Sequence, residues 1–165
     1  MHTPEFEVTK RYMENIFQTI RRRRILDIGG GPGRYSIFLA QKGHDVTLFD
    51  LSGKNIRQAI EKAQEADVLL DSCIHGDALR LSEYLYKAEQ YDVVLLMGPL
   101  YHLMREQDRE KALQEALRVL KAGWAFVRIL YFDVCANSGL CQRTVRFRRY
   151  GQTPRRSGGR NCTTW

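Results

Sequence analysis

With 165 residues, 44% of them hydrophobic and 27% charged, the chain is long enough for one domain with a proper core and has an ordinary globular composition. No apolar run approaches the roughly 18 residues that span a bilayer, and "MHTPEFEVTKRY" has acids where a signal peptide is apolar, so a cytoplasmic protein is expected. The net charge of +7 says little about the body: residues 134–165 hold seven arginines, no lysine and no acid, and the other nineteen cations balance the nineteen acids.

The chain then alternates between helical and strand patterns. "TPEFEVTKRYMENIFQTI" reads as a helix with Thr3 as N-cap, Pro4 in its first turn and an apolar stripe at Val8, Tyr12, Ile16 and Ile20. Four arginines, Arg21 to Arg24, lead into "ILDI", a buried-strand pattern that ends in glycines; the run is read as a solvated strand entry rather than a nucleic-acid patch. "RYSIFLAQKG" is a helix stopped by Gly43, "DVTLFD" a strand, and "GKNIRQAIEKAQEA" a helix capped by Ser52. "SCIHGD" is a weak strand, "LSEYLYKAEQ" a short helix and "YDVVLLMG" a strong strand with apolar residues on both faces. "REQDREKALQEALRVLKAG" is a helix ending at Gly123, and "WAFVRILYF" is a fifth strand. This alternation predicts an α/β fold: a doubly wound, mostly parallel sheet with helices on both faces.

After Asp133 the composition shifts, which divides the chain into a body, 1–133, and an arginine-rich tail, 134–165, expected to be weakly structured. "TVRFRRY" alternates enough for one edge strand. Cys73 stands alone, and Cys135, Cys141 and Cys162 fall in the tail; no C-x-x-C pair and no zinc spacing occurs, so no metal site is expected.

The stretch "ILDIGGGPGRYS" carries the chemistry. A strand, a glycine turn and a helix place backbone N–H groups and a helix N-terminus at the carboxyl edge of the sheet, where open α/β sheets bind ligands. The dinucleotide pattern G-x-G-x-x-G/A fits from neither Gly29 nor Gly31, because its sixth position falls on Arg34 or Ser36. Asp27-x-Gly29-x-Gly31-x-Gly33 does fit a D-x-G-x-G-x-G motif, and Asp50 closes the next strand 19 residues past Gly31, where a carboxylate can accept hydrogen bonds from both hydroxyls of a ribose. With "GDAL", "LLMGPLYHL" and "ALRVLKAGWAFV" in order after it, the body resembles the class I S-adenosylmethionine-dependent methyltransferases over about residues 4–133. It is most similar to a small, generic bacterial branch. The family's late turn is usually L-K-P-G-G; Ala122 and Trp124 stand where proline and the second glycine are usual.

The resemblance implies S-adenosylmethionine as cofactor and a Rossmann-like sheet with one N-terminal lid helix. It implies that Gly29 and Gly31 let the backbone approach the methionine moiety, with Gly33 serving helix–strand packing, and that Asp27 sits near the ammonium group. Asp50 is assigned to the ribose, Leu51 to the adenine face, the Asp77 side chain and Ala78 backbone to the adenine edge, and Gly98 to the amino-acid end. His102 and Tyr101 are the candidates for chemistry, His102 as a base or only as a helix cap, Tyr101 as a substrate or cofactor contact.

The leading expectation is methyl transfer to a small-molecule acceptor by in-line displacement. Two alternatives stand beside it. One is a nucleic-acid methyltransferase using the basic tail, disfavoured because "GPLY" stands where an N/D-P-P-Y/F motif would. The other is a truncated, inactive cofactor binder, since the family's sheet has seven strands with a final antiparallel hairpin and only five are clear here. The missing strands would leave the edge of "WAFVRILYF" open to a second copy of the chain.

Overall fold

A computed structural model of the chain describes residues 4–17, 22–130 and 144–149. The elements in order are α1 (Pro4–Phe17), β1 (Arg24–Ile28), α2 (Arg34–Gln41), β2 (Asp45–Asp50), α3 (Gly53–Glu65) and β3 (Ser72–His75). A 3-10 turn (Ala78–Arg80) follows, then α4 (Leu81–Tyr84), β4 (Tyr91–Leu96), α5 (Pro99–His102), α6 (Glu106–Val119), β5 (Leu120–Leu130) and β6 (Thr144–Arg149). The strands form one sheet in the order β3-β2-β1-β4-β5-β6. The pairings from β3 to β5 are parallel, and β6 runs antiparallel to β5, Ala125 opposite Arg149 and Leu130 opposite Thr144.

The two faces of the sheet bury different sets. Leu26, Ile28, Phe49, Val94 and Leu96 face α4 and α6, where Leu81, Ala116 and Val119 complete a core. On the opposite face Ile25, Val46, Val93 and Leu95 meet Met13 of α1 and Phe38 and Leu39 of α2, while Leu48 meets Ile56 and Ala59 of α3. Burial on both faces is why β4 reads as an unbroken apolar run.

Three readings change at the level of local structure, and a fourth falls on side chains outside the described residues. The face that α1 buries includes Phe6, Thr9 and Met13, set by docking on α2 through Phe6–Tyr35 ring contact and by Lys10 over Phe38. The expected stripe at Val8, Tyr12, Ile16 and Ile20 lies outside the described side chains. The helix expected over "LSEYLYKAEQ" lasts four residues, because the Arg118 guanidinium takes the carbonyls of Leu85 and Tyr86 and the backbone of 89–90 turns to bond with Arg118 and Val119. Helix α6 ends at Val119 rather than at Gly123, since a register irregularity at Tyr91/Val93 of β4 draws Leu120 into the sheet. Finally, the β5 edge expected to stand open is paired with β6, the one tail segment read as strand-like.

Two local readings match closely. Ser52 caps α3, its hydroxyl accepting from the Asn55 N–H at 3.3 Å. Gly33, at φ 79°, opens α2 in a left-handed conformation, and a Cβ there would press on Ala59 of α3 at 2.9 Å.

Candidate functional site

Strand order reverses between β1 and β4, which run parallel: β1 leads outward to β2 and β3, and β4 leads to β5 on the other side. The loops after β1 and β4 therefore diverge at their carboxyl ends and leave a crevice. At its base they touch. The space a Cβ of Gly29 would need is filled by the Pro99 ring, and a Cβ on Gly98 would land on the Gly29 carbonyl. Gly29 and Gly31 hold φ of 69° and 57°, and the space over Gly31 is open within 4 Å. Only glycine serves at these positions: two because another backbone or ring is in the way, and Gly31 because L side chains rarely adopt its φ.

A cleft of about 570 Å³ opens above this contact, within the size range of small-molecule sites. Gly29, Gly31, Asp50, Leu51, Asp77, Ala78, Gly98 and His102 all line it. These expected residues thus come together from the ends of four strands. Asp27 does not line it. Its side chain turns under the glycine loop, 1% exposed, with Oδ2 accepting from the Ser36 hydroxyl at 2.6 Å. Asp27 Oδ1 has no hydrogen-bond partner among the described residues. Burial pushes this carboxyl up to about 6, against the Ser36 hydrogen bond and with a smaller push from the Asp50 charge.

Asp50 is nearly buried at the end of β2, and its carboxylate organises the loops. Oδ2 accepts from the Gly31 N–H at 2.9 Å; Oδ1 accepts from the Ser52 N–H at 2.8 Å and the Asn55 side-chain amide at 3.1 Å. Asp77 accepts from the Leu79 N–H at 2.9 Å and so caps the 3-10 turn while lining the cleft. Leu51 is 69% exposed at the rim, an apolar side chain free to cover a flat ligand. His102 is exposed at the end of α5. Tyr101 belongs to the same short helix, but its side chain lies outside the described residues.

A family of methyltransferase domains matches residues 25–123, well over half of the chain. The chain belongs to the class I S-adenosylmethionine-dependent methyltransferases. This domain is 35% identical over 100 residues to a glycine/sarcosine N-methyltransferase from Aphanothece halophytica, covering 60% of this chain and 37% of that protein. It is 32% identical over 115 residues to a tRNA 5-carboxymethoxyuridine methyltransferase from Escherichia coli K12, covering 67% and 41%. Among solved structures, a SAM-dependent methyltransferase from Methanosarcina mazei superposes with a TM-score of 0.64 at 25% identity, over 73% of this chain and 58% of that one. The chain thus spans about two-fifths of the length of these curated relatives.

The residues of the cleft fit the family's cofactor. The open space over Gly31 is a cradle that any side chain would narrow, and a buried carboxylate with an unpartnered oxygen lies under the loop that a cationic amino group would meet. Among the described residues, no group of His, Cys, Asp and Glu could hold a metal ion, and no helix is long and apolar enough to cross a membrane.

The sequence reading gave no site role to Phe49, Asn55, Gly76, Pro99 and Leu103 of the lining, nor to Arg109 behind it. Asn55 lines the cleft and bonds Asp50; its signal was only a polar residue in the first turn of α3. Gly76 also lines it, and a Cβ there would strike the Phe49 ring at 2.6 Å; this glycine stood next to Asp77 in plain view. Arg109 of α6 donates through Nη1 to the carbonyls of Leu103 at 2.7 Å and Met104 at 2.9 Å, tying down the wall after α5.

Proposed function

We propose that this domain binds S-adenosylmethionine in the cleft at the β1/β4 switch point and transfers its methyl group to a small-molecule acceptor. The observation that carries the reading is the convergence of the two glycine loops and the Asp50 carboxylate on one cleft. In that reading Gly29, Gly31 and Gly98 receive the amino-acid end, Asp50 the ribose, and Leu51, Asp77 and Ala78 the adenine. Asp27 acts from beneath, steadying the loop and favouring a cation above it.

The cofactor, when bound, supplies a methyl group already activated on a sulfonium. With the methyl group activated in that way, the residues of this chain would contribute chiefly alignment of the acceptor for in-line displacement. His102 stands at the rim, where it can take the proton that an amine or hydroxyl acceptor must lose. A small acceptor is supported by the charge-balanced body and by the relative that methylates glycine and sarcosine.

Calorimetry with S-adenosylmethionine, S-adenosylhomocysteine and NAD tests the cofactor. Binding of both sulfur compounds and not NAD is expected; NAD binding alone sinks the reading. His102→Gln should leave S-adenosylhomocysteine affinity unchanged and lower kcat about 100-fold or more with the true acceptor. Measuring RNA binding against salt in the full chain tests the acceptor class, because phosphate contacts produce a steep salt dependence. A steep slope together with tRNA methylation would overturn the small-molecule assignment.

A further inference from the structure

The wall that carries His102 is gripped at one end by the glycine loop and at the other by a single guanidinium. Helix α5 is one turn long, too short to be stable alone, so its direction is set by what holds its ends. Its start is held twice: the Pro99 ring lies against Gly29, and Leu100 is buried in the core on the α6 side of the sheet. Its end has one backbone bond, from the Leu103 N–H to the Pro99 carbonyl at 3.1 Å. Beyond it Leu103 and Arg105 are extended, and Arg105 begins α6 without a side-chain cap. The carbonyls of Leu103 and Met104 in this stretch are both taken by Nη1 of Arg109, at 2.7 Å and 2.9 Å. A terminal guanidinium nitrogen carries two N–H bonds, so one atom serves both. Ala112 and Ala116 of α6 are buried, so this guanidinium projects from a helix that is itself docked.

We propose that Arg109 is the positioning residue for His102: by holding the Leu103 and Met104 carbonyls it fixes the end of α5, and with it the place of the imidazole at the cleft. Arg109 does not line the cleft, so it acts through the backbone and not by touching a ligand. The two grips have separate tasks. The Pro99–Gly29 contact ties α5 to the cofactor loop, and Arg109 ties the His102 end to α6. Loss of Arg109 then releases His102 and leaves the cofactor loops in place. This inference rests on the cofactor and base readings above.

The test is NMR of the histidine rings in the full chain, with and without S-adenosylhomocysteine, the His102 signal being assigned by its loss in His102→Gln. In the native chain the ligand should shift that signal, because His102 lines the cleft. Arg109→Met keeps the apolar stem and removes the donors. It should bind S-adenosylhomocysteine with unchanged affinity by calorimetry, and the ligand-induced shift of His102 should be lost. A shift that persists in Arg109→Met would overturn the proposal. Loss of affinity together with the shift would overturn it too, by making Arg109 a general support of the cofactor site. A native chain that binds the ligand without moving the His102 signal would overturn it as well. Should circular dichroism show that Arg109→Met does not fold, the native chain decides: the Arg109 Nη–H protons should exchange slowly with water, and fast exchange overturns the clamp. Failure of the native chain to bind S-adenosylhomocysteine at all would instead overturn the cofactor reading, and this inference with it.

Discussion

The two ends of the central strands treat a buried aspartate in opposite ways. At the amino end of β4, Asp92 is satisfied: Oδ2 accepts from the Arg24 N–H at 2.9 Å and Oδ1 from the Lys121 ammonium at 2.8 Å. Burial alone would raise its pKa, yet these two donors hold the carboxyl below its ordinary range. At the carboxyl end of β1, Asp27 has one neutral donor and an unpartnered oxygen, and burial raises it to about 6. Both side chains are nearly inaccessible. The difference is the partner, and it separates an end built for stability from an end built for a ligand.

The sharpest way to break this contrast is to fill the ligand end. Gly98→Ala puts a methyl group onto the Gly29 carbonyl, so the two loops must part. A stability loss of about 3 kcal/mol or more is expected, with S-adenosylhomocysteine binding lost as well. An unchanged denaturation midpoint with native affinity would show that the loops do not need this contact.

Asp27 gives the next largest effect, and its sign is set by linkage. A carboxyl raised from 3.8 to about 6 in the fold binds its proton more tightly there than in the unfolded chain. Its contribution to stability is therefore full below the unfolded value and falls as pH rises from about 4 to 6. Asp27→Asn removes that fall. The stability difference, variant minus native, should grow by about 3 kcal/mol between pH 4 and 7, at about 1.4 kcal/mol per pKa unit. Parallel urea curves at the two pH values would contradict it.

Asp92 responds with the opposite sign. Its lowered carboxyl stabilises the fold above the ordinary carboxylate range and loses that contribution as pH falls through the folded value. Asp92→Ala leaves the Arg24 N–H without its partner and should cost about 2 kcal/mol at pH 7. Lys121 is partly exposed, so the ion pair itself adds little. The cost should shrink in acid, where the native carboxyl also loses its charge; a cost constant with pH would place it in packing instead. Smallest of all, Arg22→Ala removes the exposed bidentate pair with Asp45 at the entry to β1 and should leave the thermal midpoint unchanged within error.

Much of the sheet was legible in the sequence for a physical reason. Strands buried on both faces need uninterrupted apolar runs, and "DVTLFD" and "YDVVLLMG" place β2 and β4 within a residue or two of where they lie. Left-handed backbone favours glycine, so the loop over Gly29, Gly31 and Gly33 announces itself. The helix ends at 84 and 119 were not legible, because a guanidinium 33 residues away and a register irregularity across the sheet decide them.

What the residues determined by themselves was the order of elements, the glycine turn and the acid at the end of β2, since these follow from local backbone geometry and apolar periodicity. What only the tertiary structure decided was partnership. Asp27 and Asp50 look alike in sequence, each closing or nearly closing a strand before a turn. Packing puts one under the loop against Ser36 and the other in the cleft against Gly31, Ser52 and Asn55. Hydrogen-bond partners across 9 to 19 residues depend on how strands and helices dock, and no local pattern carries that information.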